Sequence, residues 1–132
     1  MLLTDNHGLP ISAFTTSAQE SEVNTVETLV DLCVISKRPK YLLYDKAADA
    51  DWLRNNLLRR GINQVTPHRE GRKKPPLQDG RSLRRYRHRW KVERTISWLG
   101  NYNRLLVRRE YHAHLFEGFV HWACLILCLR RF

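Results

Sequence analysis

The sequence predicts an α/β or α+β fold in which helices cover a small sheet. Short apolar runs bounded by turn residues, such as KYLLYD at 40–45, are typical of buried strands. Longer segments carry apolar residues at helical spacing. The 132 residues, 42% of them hydrophobic, suffice for one core. We therefore expect a single domain over residues 1–132, with strands and helices following one another along the chain.

The first two elements are a hairpin and a helix. Residues 1–14 hold two apolar stretches separated by the turn cluster Asp5-Asn6-His7-Gly8, which predicts a β-hairpin with Asp5 as a turn former. From Ser21 to Ile35, valine and leucine residues recur at helical spacing behind early acids, which predicts an amphipathic helix.

A strand, a helix and a strand follow. KYLLYD predicts a buried strand that ends at Asp45. Residues 49–60 have a helical pattern, and Gly61 is a stop signal. The run INQVTP that follows predicts one more short strand.

The last part of the chain predicts a loop and two helices. Residues 70–80 form the loop, because Pro75 and Pro76 stand in a segment with few apolar groups. A long helix is expected over 82–106 and a second over 115–129.

The charge is unevenly distributed. Residues 1–36 hold five acids and no Lys or Arg, so the other 8 acids and all 23 basic residues lie in 37–132. This asymmetry indicates a polyanionic partner, with nucleic acid the first candidate; the alternative is a basic surface that only keeps the protein soluble. The run Arg72-Lys73-Lys74 fits a solvated linker as well as a contact to the DNA backbone.

The cysteines and the apolar runs indicate the cellular compartment of the protein. Three cysteines without a CxxC pair favour a reducing compartment. The run FVHWACLILCL is too short to span a bilayer, so we expect a soluble, cytoplasmic protein without a membrane partner. His121, Cys124 and Cys128 share a helical face in that run, but their apolar neighbours favour a packed core helix over a zinc site.

One acid, Glu93, stands in the basic stretch RRYRHRWKVERTISWL. On a helix, Tyr86, Arg89 and Glu93 share a face, and Val92, Ile96, Leu99 and Leu106 form a neighbouring stripe suited to docking on the sheet. Asp45, at a strand end, is the obvious partner for Glu93. Carboxylates that converge among cations suit metal-dependent phosphodiester chemistry, whereas a surface pair of Glu93 with Arg89 is the alternative. Trp90 and Trp98 fit either core packing or base stacking.

The stretch YRHRWKVE resembles the start of the Y(2)R(3)E(6)K signature of DDE transposases of bacterial insertion sequences, the IS-four and IS-five groups. The resemblance extends to TDNHGLPISAF, LLYDKAADADWLR and VRREYHAHLFEGFVHWACLILCLRR, and so covers nearly the whole chain. It implies an RNase H-like mixed sheet flanked by helices.

By position, the resemblance implies that Asp45 and Glu93 are the second and third catalytic acids and the metal ligands. It likewise implies that Tyr86 and Arg89 contact phosphate. In the family such acids bind two Mg²⁺ ions, and the enzyme cuts and joins DNA at transposon ends. The lysine of the signature falls at Gly100, so Arg94 or Arg104 would supply that DNA contact; the neighbouring cations Arg85 and Lys91 complete the expected DNA-binding set.

The first catalytic aspartate of the family lies on a strand upstream of everything in this chain. The chain therefore resembles the C-terminal part of a transposase with its first strand missing, expected to be inactive alone. Mg²⁺ or Mn²⁺ would bind fully only once that aspartate is supplied. The expected partners are transposon-end DNA, a half encoded in an upstream frame and a second copy of the chain. The alternative is a catalytically dead remnant that binds DNA or acts as an inhibitor.

Overall fold

The structure is a computed structural model that describes residues 1–35, 38–75 and 80–131. Helices and short strands alternate along these residues, so the predicted α+β class is confirmed. The strands are β1 (Leu2–Thr4), β2 (Pro10–Ala13), β3 (Tyr41–Leu43) and β4 (Asn63–Val65). The α-helices are α1 (Glu22–Asp31), α2 (Asp51–Arg59), α3 (Gly80–Leu83), α4 (Trp90–Leu99), α5 (Asn103–Leu106) and α6 (Ala113–Leu129).

The chain divides into two compact units. The first unit holds residues 1–21, 25–34 and 90–131, and the second holds 22–24 and the described part of 35–89. The strands pair within units, β1 with β2 in the first and β3 with β4 in the second.

The first unit is built on the predicted hairpin. Strands β1 and β2 are antiparallel, with Leu3 opposite Ser12. Asp5 makes the turn, because its Oδ1 accepts the backbone N–H groups of His7 and Leu9, each at 2.8 Å. Helix α4 lies against β1, and α6 lies against β2.

The turn of this hairpin is fastened to α4. Gly8 has φ +87°, a left-handed conformation that glycine adopts without steric cost. A Cβ at this position would lie 3.3 Å from the backbone oxygen of Lys91. This close approach lets the fully buried Thr95 hydroxyl donate to the Gly8 carbonyl at 2.6 Å.

The second unit is a strand–helix–strand unit. Strands β3 and β4 are parallel, with Leu42 opposite Gln64, and α2 connects them. Leu53 and Leu57 of α2 are fully buried, four residues apart on one helical face. Gly61, with φ +77°, ends the helix as predicted. This unit positions Asp45, which follows β3.

The prediction of one continuous helix over 82–106 is wrong. The described residues form α3, a 3₁₀ turn at Arg84–His88, then α4 and α5 as separate helices. Like charges three and four residues apart in RRYRHR repel one another and weaken a regular helix. Gly100 and Asn101, both poor helix formers, follow the end of α4.

The apolar surfaces also differ from expectation. The predicted docking stripe on this segment is wrong, since Ile96 is 54% exposed and Leu106 is 69% exposed, and Thr95 takes the buried position. Helix α6 buries Cys124 and Leu127 but leaves Trp122 exposed, so it is half core and half surface. Helix α1 ends at Asp31 rather than Ile35.

The remaining expectations concern the strand before Asp45, the loop at 70–80, membrane-spanning helices and the RNase H-like sheet. The predicted strand ending at Asp45 stops two residues earlier, at Leu43, and only Leu42 in it is buried. The predicted loop at 70–80 lies in part outside the described residues. Across the described ranges, every helix is too short or too polar to cross a membrane. The RNase H-like arrangement stays a prediction.

Candidate active site

Asp45 lies where the chain leaves β3. It precedes the 3₁₀ turn Lys46–Ala48, and its Oδ1 accepts the backbone N–H of Lys46 at 2.6 Å. Aspartate is favoured at such a position because its carboxylate accepts backbone N–H groups that have no partner within the helix. The side chain remains 48% exposed. The carboxylate is therefore fixed by the backbone and open to solvent.

Tyr86 and Arg89 meet this carboxylate. The N–H of Arg89 donates to the carbonyl of Tyr86 at 2.9 Å, an i to i+3 bond that places the two side chains on the same side of the turn. The Tyr86 hydroxyl lies 3.4 Å from Asp45 Oδ1, and Arg89 Nη2 lies 3.3 Å from Oδ2. Three residues predicted from the sequence to be functional thus lie together in the second unit.

The ion pair between Arg89 and Asp45 is weak. Both side chains are partly exposed, and the distance is long for a charge-assisted hydrogen bond. Such pairs contribute about 0–1 kcal/mol. The pair therefore adds little to the stability of the fold.

Tyr44, beside Asp45, has an altered titration. Burial, with the Glu22 carboxylate as the second cause, raises the pKa of Tyr44 to about 12. The hydroxyl is 3.4 Å from Glu22 Oε2. Tyr44 therefore stays protonated at neutral pH and adds no negative charge next to Asp45.

Glu93 and most of the expected DNA-binding cations belong to the first unit. Glu93 is exposed on α4. On the same helix, Lys91 Nζ donates to the Asn6 carbonyl at 2.6 Å, and Arg94 Nη2 donates to the His7 carbonyl at 2.8 Å. These two cations help to hold α4 on the hairpin turn.

The remaining cations have aromatic or acidic neighbours. Arg94 lies between Trp90 and Trp98, 4.9 and 4.6 Å from the ring centroids. Arg104 pairs with Glu110 at 3.0 Å. In the second unit, Arg85 lies 4.1 Å from the Tyr41 ring centroid. A DNA contact by these groups would compete with an intramolecular one.

The donor chemistry at Asp45 suits a hard divalent cation, which prefers carboxylate oxygens. Across residues 1–35, 38–75 and 80–131, however, no three His, Cys, Asp or Glu side chains are placed to hold a metal ion. His121 and Cys128 instead bond the carbonyls of Ala13 and Pro10, at 2.9 and 3.6 Å, as expected for a packed helix. Asp45 is one suitable ligand that needs further acids to complete a metal site.

Asp49, four residues after Asp45, was not predicted from the sequence to have a role at this site. Its side chain is only 2% exposed and accepts hydrogen bonds from Arg54 at 2.9 Å, from Arg72 at 2.6 Å and from the Arg69 backbone at 3.0 Å. Burial alone would raise the pKa of Asp49, but these donors outweigh it and hold the pKa at about 2. The clue in the sequence was a pair of acids, Asp49 and Asp51, at the start of α2.

The exposed Asp45 carboxylate thus has a guanidinium and a hydroxyl beside it, in a strongly basic chain, and guanidinium groups suit phosphate oxygens. The sequence profile of the Transposase DDE domain family matches residues 1–129, and the chain belongs to that family. The chain is 30% identical over 135 aligned residues to the putative transposase for insertion sequence element IS402 of Burkholderia cepacia. That alignment covers 96% of this chain and 60% of the relative, so the chain spans about 60% of the relative's length. No solved structure matches the chain.

Proposed function

We propose that this chain is one catalytic-domain segment of a DDE transposase that acts on transposon-end DNA in the bacterial cytoplasm. In this proposal Asp45 and Glu93 are its second and third catalytic acids. The observation that carries the proposal is the contact of Tyr86 and Arg89 with an exposed Asp45 carboxylate. These are the residue types and spacing of the family signature, and the family match spans them.

The geometry suggests what each side chain does. The Arg89 guanidinium has several donors in a fixed plane, which suits phosphate oxygens, and it lies at the Asp45 carboxylate. The Tyr86 hydroxyl can donate to the same phosphate. Both groups would therefore fix a phosphodiester next to Asp45, so that the reacting bond is oriented before chemistry begins.

Asp45 and Glu93 are each proposed as a ligand of a divalent cation. Mg²⁺ or Mn²⁺, when bound, supplies activation of the attacking oxygen and stabilisation of the leaving one. The chain's own contribution is to hold the Asp45 carboxylate in place, through the Lys46 N–H and the Arg89 guanidinium, while leaving it open to solvent.

Two partners follow from the proposal. A segment from an upstream frame would supply the first aspartate, in keeping with the greater length of the relative. A second copy of the chain is the other proposed partner, because DNA joining involves two transposon ends.

The test is cleavage and strand transfer of labelled transposon-end DNA with Mg²⁺, by the chain alone and by the chain joined to its upstream segment. We expect activity only in the joined protein and its loss in Glu93→Gln. Asp31→Asn, at an exposed acid of α1, is the control that should keep activity. DNA binding without cleavage in every form would instead identify a remnant or an inhibitor.

A further inference from the structure

The segment from Pro67 to Pro75, which we call the anchored loop, follows β4 in the second unit. Three sets of ion pairs fasten it to the β3–α2 connection. Asp49 accepts from Arg72 and from the Arg69 backbone, and Asp51 accepts from Arg72 and Lys74. Glu70 pairs with Lys46, the residue after Asp45, at 2.8 Å. The anchored loop is thus tied to the connection that carries the proposed catalytic aspartate.

The hydrogen bonds and ion pairs of Asp49 are the strongest of the contacts that hold the anchored loop. Its side chain is almost fully buried, whereas Asp51 is 30% exposed and Glu70 is 88% exposed. The guanidinium of Arg72 bridges the two aspartates, so one cation neutralises charge at both. This bridge fixes the backbone of the anchored loop at its centre.

The cations of the anchored loop divide into two kinds. Arg72 and Lys74 are used in these internal pairs. Within the part of the chain that the structure describes, the exposed side chains of Arg69 and Lys73 make no ion pair. Six cations lie in this cluster against three acids, a net charge of +3: Lys46, Arg54, Arg69, Arg72, Lys73 and Lys74 against Asp49, Asp51 and Glu70.

The shape of the region suits a small anion. An open cavity of about 470 Å³ lies over the anchored loop; Arg69 lines it together with the internally paired Arg72 and Lys74, and Lys73 is not among its lining residues. A phosphate group fits such a space. The acids that also line it already have cationic partners within the cluster, so they repel an anion less than free carboxylates would.

We propose that the anchored loop is a second DNA-backbone site of this chain, in which Arg69 and Lys73 contact phosphates beside Asp45. Arg72 is a positioning residue that holds the loop and does not itself bind DNA. The inference rests on the proposed function in one respect, that the ligand is DNA. It assigns different roles to neighbouring cations of equal charge, so it can be tested by substitution.

The experiment measures binding of a fluorescently labelled 20-base-pair duplex by anisotropy at several salt concentrations. Arg69→Gln and Lys73→Gln should each weaken binding about threefold to fivefold and reduce the salt slope by about 1, without moving the unfolding midpoint. The matched control is Arg59→Gln, an exposed cation at the far end of α2, which should stay within about twofold of wild type. Arg72→Gln should lower the unfolding midpoint.

The outcomes separate two failures. If wild type binds DNA and both loop variants bind as well as Arg59→Gln, the anchored loop is no DNA site, and the proposal is overturned while the proposed function stands. If wild type binds no DNA at any salt concentration, the proposed function fails together with the inference that rests on it. Arg72→Gln that weakens binding while leaving the midpoint unchanged would show that Arg72 itself contacts DNA, contrary to its assigned role.

Discussion

Two aspartates four residues apart, Asp45 and Asp49, have opposite surroundings. The Asp45 carboxylate is 48% exposed, and its arginine partner lies 3.3 Å away. The Asp49 carboxylate is 2% exposed and receives two guanidinium groups and a backbone N–H at 2.6 to 3.0 Å. Asp49 has its charge satisfied within the protein, whereas Asp45 has room for a ligand.

This difference separates an acid that holds structure from an acid available for chemistry. Buried charges are tolerated only when they are paired and hydrogen-bonded, so a fully paired acid is committed to the fold. A weakly paired, exposed acid adds little to stability.

The largest effect on stability should come from Asp49→Asn. It leaves Arg54 and Arg72 facing a neutral amide, and breaking a buried pair is costly because the remaining charge is uncompensated. We expect a loss of about 2 kcal/mol, below the fully buried range because both arginines are partly exposed. Asp45→Asn should change stability by less than about 0.5 kcal/mol. Urea unfolding of both variants measures this, and equal losses would contradict the comparison.

A smaller effect concerns acid stability. The pKa of Asp49 is about 2 in the folded protein against an ordinary value of 3.8, so on acidification the unfolded state takes up the proton first. The stability that Asp49 contributes is complete above about pH 5 and is lost progressively as the pH falls toward 2. Asp49→Asn should therefore lose less stability than wild type between these values. Parallel pH profiles for the two proteins would show that Asp49 is not the titrating group.

A still smaller effect concerns metal binding. Asp45 and Glu93 are only two proposed ligands, so Mg²⁺ or Mn²⁺ should bind weakly, with saturation above about 1 mM. Calorimetric titration should detect this binding in wild type and lose it in Asp45→Asn, while Asp49→Asn retains it. Identical heats for wild type and Asp45→Asn would exclude Asp45 as a ligand.

The smallest effect should come from Tyr86→Phe. Its hydroxyl is 3.4 Å from Asp45, a distance at which a hydrogen bond adds little, so stability should change by less than about 0.5 kcal/mol. Thermal unfolding checks this. A large loss would mean that Tyr86 is a structural residue of the Asp45 region.

Much of the fold could be predicted from local patterns. The hairpin at Asp5 and the helix stop at Gly61 depend on turn residues whose preferences act over a few positions. The break between α4 and α5 was harder to predict, because the apolar residues keep a helical spacing past Gly100. The sequence does not show that Ile96 and Leu106 in this stripe are exposed rather than packed. Local sequence limits the conformations that a segment can adopt, and tertiary packing selects one of them.

The site was only partly predictable. The spacing of Tyr86 and Arg89 indicated a shared face, and the structure brings both to Asp45 through a 3₁₀ turn rather than an α-helix. The role of Asp49 was not visible, because its arginine partner Arg72 is 23 residues away along the chain. The sequence does not show which of the two nearby aspartates, Asp45 or Asp49, a distant cation such as Arg72 contacts.

The most direct test of the catalytic role of Asp45 is end cleavage by Asp45→Asn and Asp49→Asn, each joined to the upstream segment and assayed well below its unfolding midpoint. We expect that Asp45→Asn keeps wild-type stability and cuts no transposon-end DNA, while Asp49→Asn is less stable and still cuts. An active Asp45→Asn protein would contradict the assignment of Asp45 as a catalytic acid.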